Sequence, residues 1–352
     1  MTAASTGIHG ELLRQRARRR RNLAWASTLF LLVAAVAYLL LLSRGSVELT
    51  PDEVLRSLTG RGTPRTDQIV WDLRLPVAAA TLIIGAALGL AGAWTQTVAR
   101  NPLASPDILG VSGGAAVAVV TGTVVARPAW SEGVDLFWWR AGLALAGALT
   151  AVVLLLALGG VRATSRFVLV GVALSMMAQA AVSYLLLRAD LTRAADAQTW
   201  LAGSLAYVRF NSLAPLVLGL VPFVILGLAA SADLPLLAHD DASATALGVR
   251  LPVVRGLLLG AATGIVAVTV SLAGPIGFVA LIAPQLARGV SRAPTPPPLV
   301  SALAGAALLS ACAVAVSFVP SSPPVGLLTS AIGGIVLVFL VIARTRNQRV
   351  VA

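Results

Sequence analysis

Two apolar segments joined by a short polar break constrain this fold more than any other feature of the chain. Residues 77–98 are long enough to cross a bilayer, a polar break follows at residues 99–107, and a second, glycine-rich apolar segment begins at residue 108. The break contains two X-Pro pairs, and residues before proline avoid the α region, so we expect the first helix to stop there. The pattern predicts a fixed elbow on one membrane face between two closely packed helices.

The rest of the chain repeats this alternation of long apolar segments and short polar breaks. Its 352 residues are 58% hydrophobic and 11% charged, whereas soluble domains carry about 25% charged residues. Open strands would leave backbone groups unpaired in lipid, and these alanine- and leucine-rich segments do not look like barrel strands, so we predict an all-α, polytopic membrane fold. We predict ten spans, or nine with a re-entrant pair, at residues 24–42, 77–98, 108–126, 141–160, 167–187, 213–230, 252–273, 275–290, 298–319 and 325–343.

These spans form a single predicted domain at residues 24–343, which includes a long inner loop at 231–251. A basic tail at residues 1–23 precedes it, and a short tail at 344–352 follows. The first apolar segment is too long for a signal peptide and no clean cleavage site follows it, so we interpret it as a retained span. The lone Cys312 lies within a span and gives no information on the redox compartment.

The distribution of arginine predicts the orientation. The chain contains no lysine, 26 arginines and a net charge of +12. With the N-terminus inside, 16 of the 26 arginines but only five of the 14 acidic residues fall on inner segments. This positive-inside pattern predicts a multi-pass protein of the cytoplasmic membrane with both termini in the cytoplasm. The positive charge is then explained by topology and by contact with anionic membrane lipid, so we predict no binding to nucleic acid.

The span interiors contain no Asp, Glu or His. A proton- or sodium-coupled carrier needs such groups at mid-depth, so a secondary carrier is only a remote alternative. A path for bare metal ions would need carboxylate, imidazole or thiolate ligands. We therefore predict no metal site and no cofactor bound by this chain.

Residues 110–114 match the G-x-S-x-G pattern of serine nucleophiles. The only histidines are His9, in the tail, and His239, in the inner loop, so no base is available at membrane depth. We predict no catalytic residue and no enzymatic activity. Glycines spaced four residues apart instead predict close helix packing, and the chain has three such pairs: Gly85 with Gly89, Gly110 with Gly114, and Gly260 with Gly264.

A phosphate-binding loop needs a lysine, so any ATP that drives transport must be hydrolysed by another polypeptide. The surface that receives such a partner should be an inner loop, and residues 231–250 form the longest one. We predict a short helix there from about residue 240 to 248. Asp240 and Asp241 suit the first turn of this helix, and Gly248 suits its C-terminal cap.

Several blocks also resemble, in the expected order, the motifs of FecCD-type permeases, which are membrane subunits of ABC importers for iron–siderophore complexes, haem and vitamin B12. The resemblance covers residues 45–343, and the ordered set is far more specific than any single block. The blocks are residues 74–76, 92–104, 110–115, 171–175, Trp200 with Gly203 and Ser204, residues 246–249, residues 274–288 and residues 324–326.

The resemblance implies a homodimer or heterodimer of ten-helix permease subunits around a central path. A cytoplasmic ATPase dimer carrying ATP and Mg would dock below, and an extracytoplasmic binding protein would deliver the substrate. A ferric siderophore is the expected cargo, with haem or cobalamin as alternatives.

The resemblance also assigns roles to individual residues. Arg65 would dock the binding protein. Contact with the ATPase would involve His239, Asp240, Asp241, Ala244, Leu247, Gly248, Val249 and Arg288. Our candidates for lining the translocation path are Gln96, Asn101, Ser112, Met176, Met177 and Gln179.

Two positions depart from the family pattern. Gln285 stands where the family usually has histidine, so a hydrogen-bonding group is kept but cannot titrate. The last outer loop reads Ser-Ser-Pro-Pro at residues 321–324 and lacks the usual acidic residue. That loop would dock a binding protein differently, which fits a heterodimer slightly better than a homodimer.

Overall fold

The computed structural model describes residues 2–45, 47–125, 128–159, 164–237, 240–320 and 322–351. Within these ranges the chain is helical with connecting turns and contains no β-strand, which confirms the all-α prediction. The α-helices are α1 (Thr2–Ser43), α2 (Pro51–Leu58), α3 (Pro64–Asp67), α4 (Leu75–Ala99), α5 (Val111–Val124), α6 (Leu136–Gly159), α7 (Thr164–Arg188), α8 (Leu191–Leu201), α9 (Phe210–Ala230), α10 (Leu234–Leu237), α11 (Asp241–Ala246), α12 (Leu251–Ala273), α13 (Val279–Ser291), α14 (Pro298–Ser317) and α15 (Val325–Val351).

Among the described residues, seven helical stretches are long and apolar enough to cross a membrane, and each contains most of one predicted span. They are Arg14–Ser43, Pro64–Ala99, Leu136–Gly159, Arg166–Arg188, Phe210–Leu237, Leu251–Ala273 and Pro298–Ser317. The other three predicted spans correspond to the shorter helices α5 and α13 and to the apolar part of α15. The predicted tails at the two ends continue α1 and α15 as helix.

Helices α5 and α13 are shorter than the predicted spans. They contain 14 and 13 residues, which at 1.5 Å per residue is about 20 Å each, against a hydrocarbon core of about 30 Å. The prediction placed the start of the eighth span at residue 275, but α13 begins at Val279. The φ angles of Gly274 and Phe278, 70° and 67°, are not helical, and Pro275 has no N–H to donate.

The predicted elbow is confirmed. Helix α4 ends at Ala99, and Arg100 follows in the left-handed conformation with φ 47°. Asn101 then stabilises the turn, because its side-chain Oδ1 accepts a hydrogen bond from the Leu103 backbone N–H at 3.1 Å. A 3₁₀ turn at Pro106–Leu109 leads into α5.

Close packing of glycines joins α4 to α14. A Cβ at Gly89 would collide with the carbonyl oxygen of Ser301, and one at Gly305 would collide with the carbonyl oxygen of Gly85. The backbones therefore approach as the glycine spacing predicts. The packing prediction is wrong for Gly260, where an added Cβ would meet nothing within 4 Å.

The remaining predicted glycines do pack closely. Gly110 lies against α7, Gly114 against Gly147 of α6, and Gly264 against the ring of Phe223.

On the predicted outer side, three glycines bring three helix ends together. Gly203 follows α8, Gly274 follows α12, and Gly326 lies in the first turn of α15. A Cβ on any of the three would overlap a backbone carbonyl of another segment. Backbone hydrogen bonds complete this glycine junction, since Ser204 N–H donates to Ala273 O at 2.8 Å and Gly326 N–H donates to Gly203 O at 3.1 Å.

Candidate functional site

Helix α11 occupies the middle of the inner loop, where the sequence predicts it. Asp240 is its N-cap, and its Oδ1 accepts a hydrogen bond from the Ser243 backbone N–H at 2.9 Å. The Ser243 hydroxyl donates to Asp240 Oδ2 at 2.7 Å, and this bond is the main reason why the pKa of Asp240 is lowered. Gly248, with φ 91°, ends the helix in a conformation that suits glycine. The predicted helix is confirmed with its caps.

This helix has one inward and one outward side. The side chain of Ala244 is 0% exposed and that of Val249 is 6% exposed, and both belong to the main hydrophobic core. Leu247 is 64% exposed, and Gly248 beside it is also exposed. Ala244 and Val249 therefore seat the helix on the rest of the chain, whereas Leu247 points away from it.

Asp241 fixes the start of α11 to two other elements. Its Oδ1 accepts a hydrogen bond from Arg100 Nη2 at 2.7 Å and one from Arg255 Nη2 at 2.6 Å. The pKa of Asp241 is lowered, first by the hydrogen bond from Arg255 and further by Arg100. The sequence alone does not predict the pairing with Arg100, because 141 residues separate it from Asp241.

His239 and Arg288 are the other two residues predicted to contact the ATPase. His239 lies outside the described residues. Arg288 is exposed in the last turn of α13. Its role beside the ATPase stays a prediction.

Three of the predicted path residues lie on one exposed side of α7. Met176 and Met177 are 69% and 68% exposed, and Gln179 is exposed on the next turn. The rest of the described chain leaves more than two thirds of both methionines uncovered. This side of α7 is therefore available to lipid, to a second subunit or to a substrate path.

The other three predicted path residues have different surroundings. Gln96 is buried in α4, where its Nε2 donates to Leu281 O at 2.9 Å and its Oε1 accepts from Gln285 Nε2. Asn101 stabilises the elbow, and Ser112 is half-buried in the first turn of α5. In this conformation Gln96 and Asn101 hold elements together, and their lining of a path stays a prediction.

The predicted outer face has its own recess. Asp135 and Arg140 of the α6 entry, Trp200 of α8 and Tyr207 before α9 contribute to a cavity of about 680 Å³. Arg65 is exposed on α3. A few residues on, Trp71 stacks on Phe210 with ring centroids 6.4 Å apart, which attaches the segment carrying Arg65 to the start of α9.

No group of three or more His, Cys, Asp or Glu side chains is placed to hold a metal ion within the described residues. This finding concerns metal ions only, and the absence of a bound cofactor stays a prediction.

Seven described helical stretches long and apolar enough to span a membrane define the class of this fold as a polytopic, all-helical membrane protein. The model of the FecCD transport family matches residues 31–343. The chain belongs to the FecCD transport family.

Two curated relatives are similar over nearly their whole length. The ferric enterobactin transport system permease protein FepG of Escherichia coli K12 is 36% identical over 330 residues, covering 91% of this chain and 97% of the relative. The vitamin B12 import system permease protein BtuC of Salmonella typhimurium LT2 is 34% identical over 341 residues, covering 94% and 98%.

A solved structure described as an inward-facing conformation of a metal-chelate type ABC transporter matches with a TM-score of 0.76 and 24% identity. The match covers 91% of this chain and 99% of the other chain. At this identity the likeness supports the fold alone.

Proposed function

We propose that this chain is the permease subunit of an ABC importer that carries ferric-siderophore complexes across the cytoplasmic membrane. The two relatives are import permeases for ferric enterobactin and for vitamin B12, and both substrates are bulky metal complexes. Spans without Asp, Glu or His suit such cargo, since the chelator presents ligand atoms in place of a bare ion.

Exposure of Leu247 on the capped helix α11 is the observation that carries the ATPase part of this proposal. A large apolar side chain in an inner loop, on a helix seated by Ala244 and Val249, suits insertion into a groove of a partner protein. We infer that a cytoplasmic ATPase dimer receives this helix. The chain itself has no lysine for a phosphate-binding loop.

Transport then proceeds by alternating access. When the ATPase dimer closes on ATP, α11 moves with it and tilts the helices around the path. Substrate passes without chemical change along the exposed side of α7, where Met176 and Met177 offer flexible, polarisable contacts. A second permease subunit completes this path, since α7 of one chain leaves the side open.

On the outer face, Arg65 is suited to pair with a carboxylate of an extracytoplasmic binding protein. It is exposed, and the stacking of Trp71 on Phe210 holds its segment against α9. Exposed ion pairs of this kind steer association more than they add affinity.

Cobalamin is the second candidate cargo, because the vitamin B12 relative is nearly as similar in sequence as the enterobactin relative. Haem is a third. No pore residue described above distinguishes these chelates.

The deciding experiment is ATP-dependent uptake into proteoliposomes that contain this chain with its ATPase and its binding protein. Labelled ferric siderophore, haem and cobalamin are supplied in parallel. We expect uptake of the ferric siderophore, and no uptake without ATP. Uptake of cobalamin or haem alone would replace the proposed cargo, and no uptake of any of them, with no ATPase bound to the purified chain, would overturn the importer proposal.

Docking of α11 is tested by the variant Leu247→Asp. A charge in place of the apolar anchor should reduce ATPase co-purification at least about tenfold, as for a hot-spot residue. Leu55→Asp is the matched control, because Leu55 is 61% exposed on α2 of the outer segment. Equal ATPase recovery for both variants would contradict docking through Leu247.

A further inference from the structure

A single carboxylate oxygen at the start of α11 joins three elements of the inner face. Asp241 Oδ1 accepts from Arg100, which follows α4, and from Arg255, which lies in α12. We call these three residues the Asp241 bridge. Helices α4 and α12 are buried along most of their lengths, so the bridge leads from an exposed loop directly to the centre of the membrane domain.

Arg100 reaches the loop at two points. Besides its Nη2 bond to Asp241, its Nε donates to Leu237 O at 2.9 Å. The left-handed backbone of Arg100 turns the chain at the end of α4. This arginine therefore holds the end of α4 against both α10 and α11.

Arg255 depends on Asp241 more strongly. Its side chain is only 12% exposed, and its Nε is buried without a hydrogen-bond acceptor among the described residues. Removing water from a guanidinium is costly unless a counter-charge is present. Asp241 supplies that charge, so α12 and the start of α11 should move together.

The bridge and the apolar seat act at different points of α11. Ala244 in its second half and Val249 just beyond its end are buried in the core, whereas the bridge holds its first residue. With the seat alone, the short helix could tilt about Ala244 without moving α4 or α12. With both, a push on the exposed Leu247 displaces α4 and α12 as well.

We propose that Asp241 is a positioning residue that transmits movement of α11 to α4 and α12 through Arg100 and Arg255. The inference rests on the proposed importer function. In it, Asp241 holds α11 to the membrane domain and does not itself contact the ATPase. The energy of ATP hydrolysis would reach the path through this bridge.

The test measures uptake and ATP hydrolysis together in proteoliposomes of the full importer, using whichever chelate the unmodified complex carries. Asp241→Asn removes the charge, Asp241→Glu keeps it, and Asp233→Asn is the control in the same inner loop. We expect Asp241→Asn to retain the ATPase and to hydrolyse ATP, while uptake per ATP falls roughly tenfold, within the range usual for coupling between sites. Asp241→Glu should recover most of the loss, which a general folding defect would not.

Arg255→Lys provides a second variant that keeps the positive charge in case Asp241→Asn reduces expression. It should lower uptake per ATP less than Arg255→Gln. An unchanged ratio of uptake to hydrolysis in Asp241→Asn and Arg255→Gln would overturn the proposal, and so would loss of the ATPase from purified Asp241→Asn. Failure of the importer function itself is distinguishable, because the unmodified complex would then show no uptake.

Discussion

At the residue scale, two glutamines form a polar contact between α4 and α13. Gln285 donates to Gln96, and Gln96 donates onward to Leu281 O. Each amide is a donor and an acceptor, so the pair satisfies itself away from water. Neither amide titrates, so this contact does not depend on pH.

Removal of one member of this pair should cost more than removal of both. Gln96→Leu leaves the Gln285 amide without its acceptor, and we expect a loss of about 1–3 kcal/mol in the free energy of unfolding. The double variant Gln96→Leu/Gln285→Leu should lose less than the two single variants together. Thermal unfolding of the purified chain in detergent measures this.

The control for that cycle is Gln179→Leu, since Gln179 is exposed on α7. Its Tm should stay close to that of the unmodified chain. Strictly additive losses in the double variant would show that the two amides do not interact.

Such pairings mark the limit of sequence reasoning at this scale. The caps of α11 could be predicted because Asp240 and Gly248 act on neighbouring backbone groups. The Gln96–Gln285 contact and the Asp241 bridge join residues far apart in the chain. One sequence alone does not predict which distant side chains come into contact. Gln285 gave a partial signal, as a departure from the family pattern.

At the scale of elements, the α4–α14 contact consists of backbone packed on backbone. Gly85 and Gly89 on one helix face Ser301 and Gly305 on the other with no room for a side chain. Lipid gives little hydrophobic drive for two helices to associate, so this close van der Waals contact stabilises them.

Alanine at two glycines of the chain should have opposite effects. In Gly89→Ala the new methyl group overlaps Ser301 O, which should cost about 1–3 kcal/mol through overpacking. In Gly260→Ala the methyl group enters open space, and the loss of backbone freedom in the unfolded chain should stabilise the helix by about 0.5–1 kcal/mol. Their Tm values, measured side by side in detergent, should move in opposite directions, and an equal shift would contradict this account.

Element types followed from the sequence more reliably than element lengths. Ten apolar segments were predicted as spans, and seven of them correspond to described helices that are long and apolar enough to cross a bilayer. The start of α13 was placed four residues early, since glycine and proline in residues 274–278 interrupt the helix without changing its hydrophobicity. Gly260 had the right spacing but no neighbour to pack on.

At the scale of the whole molecule, the distribution of arginine predicts the orientation. Inner segments carry most of the arginines under the predicted topology, including the six between residues 14 and 21. Arg100 and Arg255 then lie together with α11 on one face, and Arg65 lies on the other. Under this predicted topology, the proposed coupling and docking surfaces face opposite compartments.

Cysteine labelling tests this orientation. In a Cys312→Ser background, Arg65→Cys should react with a membrane-impermeant maleimide in right-side-out vesicles. Glu11→Cys in the N-terminal tail should react only after permeabilisation. The reverse pattern would place the termini outside and contradict both proposed interfaces.

The glycine junction has a consequence for how cargo preference changes during evolution. Main-chain groups make its close contacts, and these contacts require glycine at positions 203, 274 and 326 whatever side chains line the neighbouring cavity. The glycine junction can therefore stay unchanged while the side chains around it are substituted to suit another chelate. Exchange of these side chains between a siderophore permease and a cobalamin permease should leave the glycine junction intact. The junction would then be a constant part of the scaffold when substrate preference is engineered.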